Sequence, residues 1–153
     1  MATSLLLVSL LPVAAADNSV SLLDLSEYRG KVVVVDFWAS WCAPCRRSLP
    51  WLDAMQRQYA DEGLVVIGVN EDNAAADAEA FLKDVLVGFR IVLDEDGEIA
   101  RQYELLAMPS TYVYGRDGQL VTRHLGFKVA KQDEYEALLR SLLERSAAAN
   151  DSE

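Results

Sequence analysis

The stretch Lys31-Val-Val-Val-Val-Asp-Phe-Trp38 constrains this chain more than any other. Its β-branched residues leave no polar face, so it cannot lie half in water. It predicts a strand buried on both sides, the central position in a sheet covered by helices on each face. The run stops just before Cys42. From Pro44 to about Tyr59 the apolar residues Leu49, Leu52, Met55 and Tyr59 recur at helical spacing, and Gly63 supplies a C-terminal stop signal. Cys42 and Cys45 therefore fall at a strand-to-helix junction.

The pattern repeats downstream. Leu64-Val-Val-Ile-Gly-Val69 predicts a second buried strand, and Ala74 to Leu86 an alanine-rich helix ending near Gly88. Strand, helix, strand, helix is a parallel α/β arrangement. Arg90 to Leu93 reads as a short strand, Gly97 to Leu105 as a short helix, and Ser110 to Tyr114 as a strand starting directly after Pro109. The turn Gly115-Arg-Asp-Gly118 joins that strand to Gln119–Leu125 as an antiparallel hairpin. Gln132 to about Ala147 predicts a closing amphipathic helix with Tyr135, Leu138, Leu139, Leu142 and Leu143 on its apolar side, and a frayed tail occupies 148–153. No internal repeat divides the chain, so residues 17–147 are expected to form one domain.

The N-terminal residues stand apart. Ser4-Leu-Leu-Leu-Val-Ser-Leu-Leu11 is too short to span a bilayer and is followed by Pro12 and Ala14-Ala-Ala16. This predicts a signal peptide over 1–16, cut near Ala16-Asp17, although the residues before the apolar run include no Lys or Arg. No cysteine directly follows the run, so no lipid anchor is expected there. The net charge of −10 is spread along the chain, which disfavours nucleic acid as a partner because that footprint needs clustered Lys and Arg.

Two cysteines three residues apart cannot staple distant parts of a fold, so their role is local. Residues i and i+3 on a helix have α-carbons about 5 Å apart, within the range a disulfide bridges. With Cys42 at the helix start, backbone N–H groups and the positive end of the helix dipole favour its thiolate, which makes it the attacking sulfur. Cys45, one turn inside, is placed to resolve a mixed disulfide. Arg46 and Arg47 add positive charge on a solvated helix face. A metal site would need three or four ligands, and only these two thiols and the lone His124 are on offer, so no metal is expected. Glu71 and Asp72, just beyond the second strand, read as solvated loop charges.

Val35-Asp-Phe-Trp-Ala-Ser-Trp-Cys-Ala-Pro-Cys45, with Pro50 inside the helix and Ala107-Met-Pro-Ser-Thr111 later, closely resembles the thioredoxin superfamily and in particular its TlpA/ResA-like branch. The resemblance runs from about Leu22 to the last helix. It implies an α/β, thioredoxin-like three-layer sandwich with a central mixed sheet. The segment between Val69 and Arg90 resembles the helix-containing insertion of that branch. The resemblance further implies that Pro109 is cis, turning the backbone of Met108 toward a docking substrate strand, and that Trp41, Ala43 and Pro44 face substrate while Trp38 packs beneath.

Two positions depart from the branch. Where it often carries glutamate three residues after the second cysteine, this chain has Ser48; where it often carries asparagine, this chain has Asp36, matching the buried acid of cytosolic thioredoxins. A carboxyl near the end of a doubly buried strand is desolvated and has a raised pKa, which suits it to take and return the proton of Cys45. The expected function is thiol–disulfide exchange with protein thiols and disulfides outside the cytoplasm, in the periplasm. No bound cofactor is implied, and a membrane-bound protein would supply electrons. Reduction is the favoured direction, with cytochrome c maturation as one setting. A disulfide-donating oxidase and a copper chaperone using Cys42, Cys45 and His124 are the alternatives.

Overall fold

The computed structural model describes residues 23–145. The expected leader over 1–16, the frayed tail from 148 and the outermost residues of the expected domain lie outside the described residues. In chain order the elements are β1 (Val32–Trp38), α1 (Cys45–Tyr59), β2 (Leu64–Asn70), α2 (Ala75–Asp84), β3 (Arg90–Leu93), α3 (Glu98–Gln102), β4 (Ser110–Tyr114), β5 (Leu120–Leu125) and α4 (Gln132–Glu144).

The strands form one sheet in the order β3-β2-β1-β4-β5. Strand β1 sits at its centre, and every one of its residues is buried. It pairs parallel with β2 and antiparallel with β4; β3 extends the parallel side and β5 the antiparallel side. The mixed sheet follows from the connections. The long crossovers through α1 and α2 return the chain parallel, whereas the tight turn at Gly115–Gly118 forces a hairpin.

Alternate residues of β1 feed two cores. Val32, Val34 and Trp38 pack with Cys45, Leu49 and Leu52 of α1, Phe81 of α2 and Leu139, Leu142 and Leu143 of α4. Val33, Val35 and Phe37 pack on the opposite face with Leu23, Ile67, Ile99 of α3 and Tyr112. Helices thus cover both faces of the sheet, the three-layer sandwich expected. Gly68 on β2 leaves the space that the Trp38 indole fills: a Cβ there would stand 3.0 Å from Trp38 Nε1 and 2.9 Å from Ile91 Cδ1.

Helix α3 is shorter than expected. Its start is fixed by Asp94, whose carboxylate accepts from the amides of Ile99 and Ala100. Its end is fixed by Glu104, which takes a left-handed conformation at φ 49°. Helix α2 is likewise trimmed to Ala75–Asp84. Buried Asp53 of α1 accepts from the amide of Gly88 at 2.7 Å and pairs with Arg57, tying the α2–β3 loop to α1.

Candidate redox site at the strand-to-helix junction

Cys42 and Cys45 are joined by a disulfide, with α-carbons 5.3 Å apart. Cys42 is 5% exposed and Cys45 fully buried. The junction differs in one respect from the sequence reading. Helix α1 begins at Cys45, so Cys42 lies in the turn before it and Cys45 occupies the first helical position rather than one turn inside. The Cys45 amide donates to the Cys42 carbonyl at 3.1 Å, which folds that turn. Pro44 precedes the helix, and its missing N–H leaves no donor unpaired there. Cys42 still lies off the positive end of the helix dipole.

Around the pair, Trp41 is 69% exposed, Ala43 is exposed and Pro44 half-buried. Trp38 is fully buried beneath, its ring 5.1 Å from Phe81. Arg46 is exposed, but its guanidinium lies over the Phe81 ring at 4.6 Å, so it does more than face water. The Met108–Pro109 peptide is cis. Pro109 is buried and its carbonyl accepts from the Gly126 amide at 2.7 Å, while Met108, half-buried, makes no backbone hydrogen bond among the described residues.

Asp36 is fully buried near the end of β1. Its Oδ1 accepts a hydrogen bond from the Thr111 hydroxyl at 2.6 Å, and its Oδ2 has no partner among the described residues. Burial pushes its carboxyl up to about 7, against the opposing pull of the Thr111 hydroxyl. A proton can therefore be gained or lost there near neutral pH.

Asp72, expected as a solvated loop charge, is instead buried. It is 2% exposed and accepts from the Ser40 amide at 3.0 Å, the Ser40 hydroxyl at 2.8 Å and the Asn70 side-chain amide at 2.7 Å. The Glu71 amide also donates to the Trp38 carbonyl at 2.8 Å. Together these bonds fix the loop from Ala39 to Trp41 that delivers Cys42. Glu71 itself is half-buried, and burial together with the neighbouring Asp94 pushes its carboxyl up to about 8. No local pattern marks this burial, because Asn70-Glu-Asp72 looks like any polar loop.

Ser48 is buried on α1, its hydroxyl donating to the Cys45 carbonyl at 3.4 Å. His124 lies half-buried on β5 with its ring 4.8 Å from Tyr135. Among the described residues no group of three His, Cys, Asp or Glu side chains is placed to hold a metal ion. None of their helices is long and apolar enough to cross a membrane.

Known proteins are similar to this chain in sequence and fold. A crystal structure from Chlorobium tepidum, described as a thiol:disulfide interchange protein, DsbE, superposes with a TM-score of 0.75 at 39% identity, covering 78% of this chain and 84% of that one. The thioredoxin-like protein YneN of Bacillus subtilis is 33% identical over 113 residues, and the thiol-disulfide oxidoreductase ResA of Bacillus thuringiensis subsp. konkukian is 26% identical over 114. These alignments take in 72% and 74% of this chain, and 65% and 66% of the two relatives, just short of two thirds of their lengths. The AhpC/TSA family model matches residues 10–123, and with the thioredoxin-like sheet, the Cys42–Cys45 pair and the cis proline in place, this chain belongs to the AhpC/TSA family.

Proposed function

We propose that this chain is a thiol–disulfide oxidoreductase that reduces protein disulfides outside the cytoplasm. The observation that carries the reading is the Cys42–Cys45 disulfide at the end of the central strand, in a fold with a cis peptide before Pro109. The names of the ResA and DsbE relatives support the same chemistry.

In the reduced form the Cys42 thiolate attacks one sulfur of a target disulfide. That S–S bond breaks, the other target sulfur leaves as a thiolate, and Cys42 holds a mixed disulfide. The Cys45 thiol then gives its proton to Asp36 and its sulfur attacks Cys42. The Cys42–Cys45 bond closes and the second target thiolate leaves, so two electrons pass to the target. Exposed Trp41, with Ala43 and Pro44, offers the target an apolar surface beside Cys42, and the unpaired backbone of Met108 offers it a strand edge. A membrane-bound thiol donor would restore the reduced form, and exported apoproteins with cysteine pairs, including apocytochrome c, are the expected targets.

The test is to equilibrate the chain with glutathione buffers of graded poise and titrate the Cys42–Cys45 couple. The expected result is a midpoint well below that of glutathione, as a reductase fed by a dedicated donor requires. A strongly oxidising midpoint would reassign the chain as a disulfide donor. No reversible couple, with stoichiometric copper binding weakened by His124→Ala, would replace the reading with a metallochaperone.

A further inference from the structure

Three polar residues form a row across the sheet. Asp36 on β1 is the register partner of Thr111 on β4, and Thr111 is the partner of His124 on β5. Directly paired residues project from the same face of a sheet, here the face that carries Val34 and packs under α1 and α4. The Thr111 hydroxyl bonds Asp36 at 2.6 Å. At the other end of the row, His124 Nε2 is sealed from solvent and has no partner among the described residues.

Thr111 and His124 both border a cavity of about 20 Å³ whose lining also includes Ser48, Trp51 and Tyr135. About 10–15 Å³ suffices for one water, provided polar groups hold it. Ser48, Thr111 and His124 supply such groups in a largely apolar wall. His124 also borders a second, open groove of about 360 Å³, with Arg123, Lys128, Lys131 and Glu134 along it. The imidazole therefore stands between a water-sized chamber and bulk solvent.

We propose that Thr111 and His124, through one water in this cavity, carry protons between buried Asp36 and solvent. The inference rests on the reading that Asp36 takes the proton of Cys45: the relay lets the buried carboxyl equilibrate with solvent between that step and the return of a proton to Cys45. In the outward step the carboxyl O–H breaks as its proton bonds to Thr111 Oγ1, whose own hydrogen passes to the water. A proton from the water bonds to His124 Nε2, and the imidazolium releases one to the groove; the inward step reverses each transfer. No atom is consumed and no electron moves. Neither Thr111 nor His124 touches the sulfurs, so both are positioning residues acting through Asp36.

The charges around His124 suit this task. Thr111 and, from α1, Ser48 and Trp51 face it without charge; on the groove side lie Arg123, Lys128 and Lys131, the last paired with Glu134 at 2.9 Å, and Tyr135 stacks at 4.8 Å. Burial and Lys131 hold the imidazole below its ordinary pKa, so it is neutral at pH 7 and can accept a proton.

The experiment follows the carboxyl carbon of Asp36 by NMR relaxation in the oxidised full chain near pH 7, which reads its proton-exchange rate directly. His124→Gln keeps the size and hydrogen bonding of the site but cannot carry a proton, and it is expected to slow exchange about tenfold or more. In His124→Ala, added imidazole should restore the rate, which a merely structural residue would not allow. Equal exchange rates in wild type and His124→Gln, or no response to imidazole in His124→Ala, would overturn the relay. The underlying reading fails separately: mixed-disulfide resolution as fast in Asp36→Asn as in wild type would remove Asp36 as the base while leaving the exchange measurement intact.

Discussion

Asp36 and Asp72 are both carboxylates shut away from water, at 0% and 2% exposure, and both lie near the sheet end that carries the cysteines. Their surroundings differ. Asp72 receives three donors, from the Ser40 amide, the Ser40 hydroxyl and the Asn70 side chain. Asp36 receives one, from Thr111, and keeps an oxygen without a partner among the described residues. A carboxylate with a full set of donors replaces the water it lost and becomes a fixed part of the frame. One left short favours its neutral form and stays ready to exchange a proton. The same residue type thus holds the loop before Cys42 in one place and, in the other, keeps a carboxyl that titrates near neutral pH, as the proposed proton exchange requires.

The largest effect expected from this contrast is on Asp36→Asn, a neutral near-isostere. The carboxyl of Asp36 lies at about 7 when folded against 3.8 otherwise. Below pH 4 both states are protonated and the substitution should change stability little. Between pH 4 and 7 the folded state keeps a proton that the unfolded state has released, so wild-type stability falls as pH rises. Above pH 7 the penalty is constant. At about 1.4 kcal/mol per pH unit, Asp36→Asn should be more stable than wild type by about 4 kcal/mol at pH 8. Urea unfolding of both proteins at pH 4 and pH 8 reads this directly. Resolution of the mixed disulfide should at the same time slow about 100-fold, the ordinary worth of a general base. A gain in stability with no loss of rate would make Asp36 a buried acid without a catalytic task.

Asp72→Ala should move the opposite way. It strands the donors of Ser40 and Asn70 in a buried site, at a cost of about 3 kcal/mol at pH 7. The loop at Ala39–Trp41 then loses its anchor, so the potential of the Cys42–Cys45 couple should shift as well. A urea midpoint equal to that of wild type would place Asp72 outside the frame.

Much of this frame is legible in the sequence. The unbroken apolar run at Val32–Val35 requires a central strand, the glycines and the tight turn mark the hairpin, and the i, i+3 spacing of the cysteines anticipates their 5.3 Å separation. The burial of Asp36 follows from its place in that run. The roles of Asp72, Thr111 and His124 do not, because each depends on which residue of another strand stands beside it. Periodicity assigns a face to a residue; register, fixed only when the strands pair, assigns its neighbours. A short polar loop such as Asn70-Glu-Asp72 carries no period at all, so nothing local separates an anchored acid from a solvated one. That α1 starts at Cys45, with Cys42 in the turn before it, has a related reason. Pro44 can open a helix or precede one, and only the Cys45-to-Cys42 backbone bond decides.

The smallest effects separate the two carboxylates most sharply, because each removes one donor hydroxyl and leaves the rest of its site in place. Thr111→Val takes away the one hydrogen bond that the Asp36 carboxyl receives among the described residues. That bond favours the charged carboxylate, so its loss should raise the Asp36 midpoint above 7, by about one pH unit for a bond worth about 1.5 kcal/mol to a charged group. Ser40→Ala takes one donor of several from Asp72 and should cost about 1 kcal/mol in stability, leaving the Asp36 titration where it was. The carboxyl carbon shift of Asp36 followed from pH 5 to 9, beside urea midpoints for both variants, distinguishes them. If Ser40→Ala also moved the Asp36 titration, the two acids would belong to one coupled network, and the division between a framing carboxylate and a reacting one would have to be abandoned.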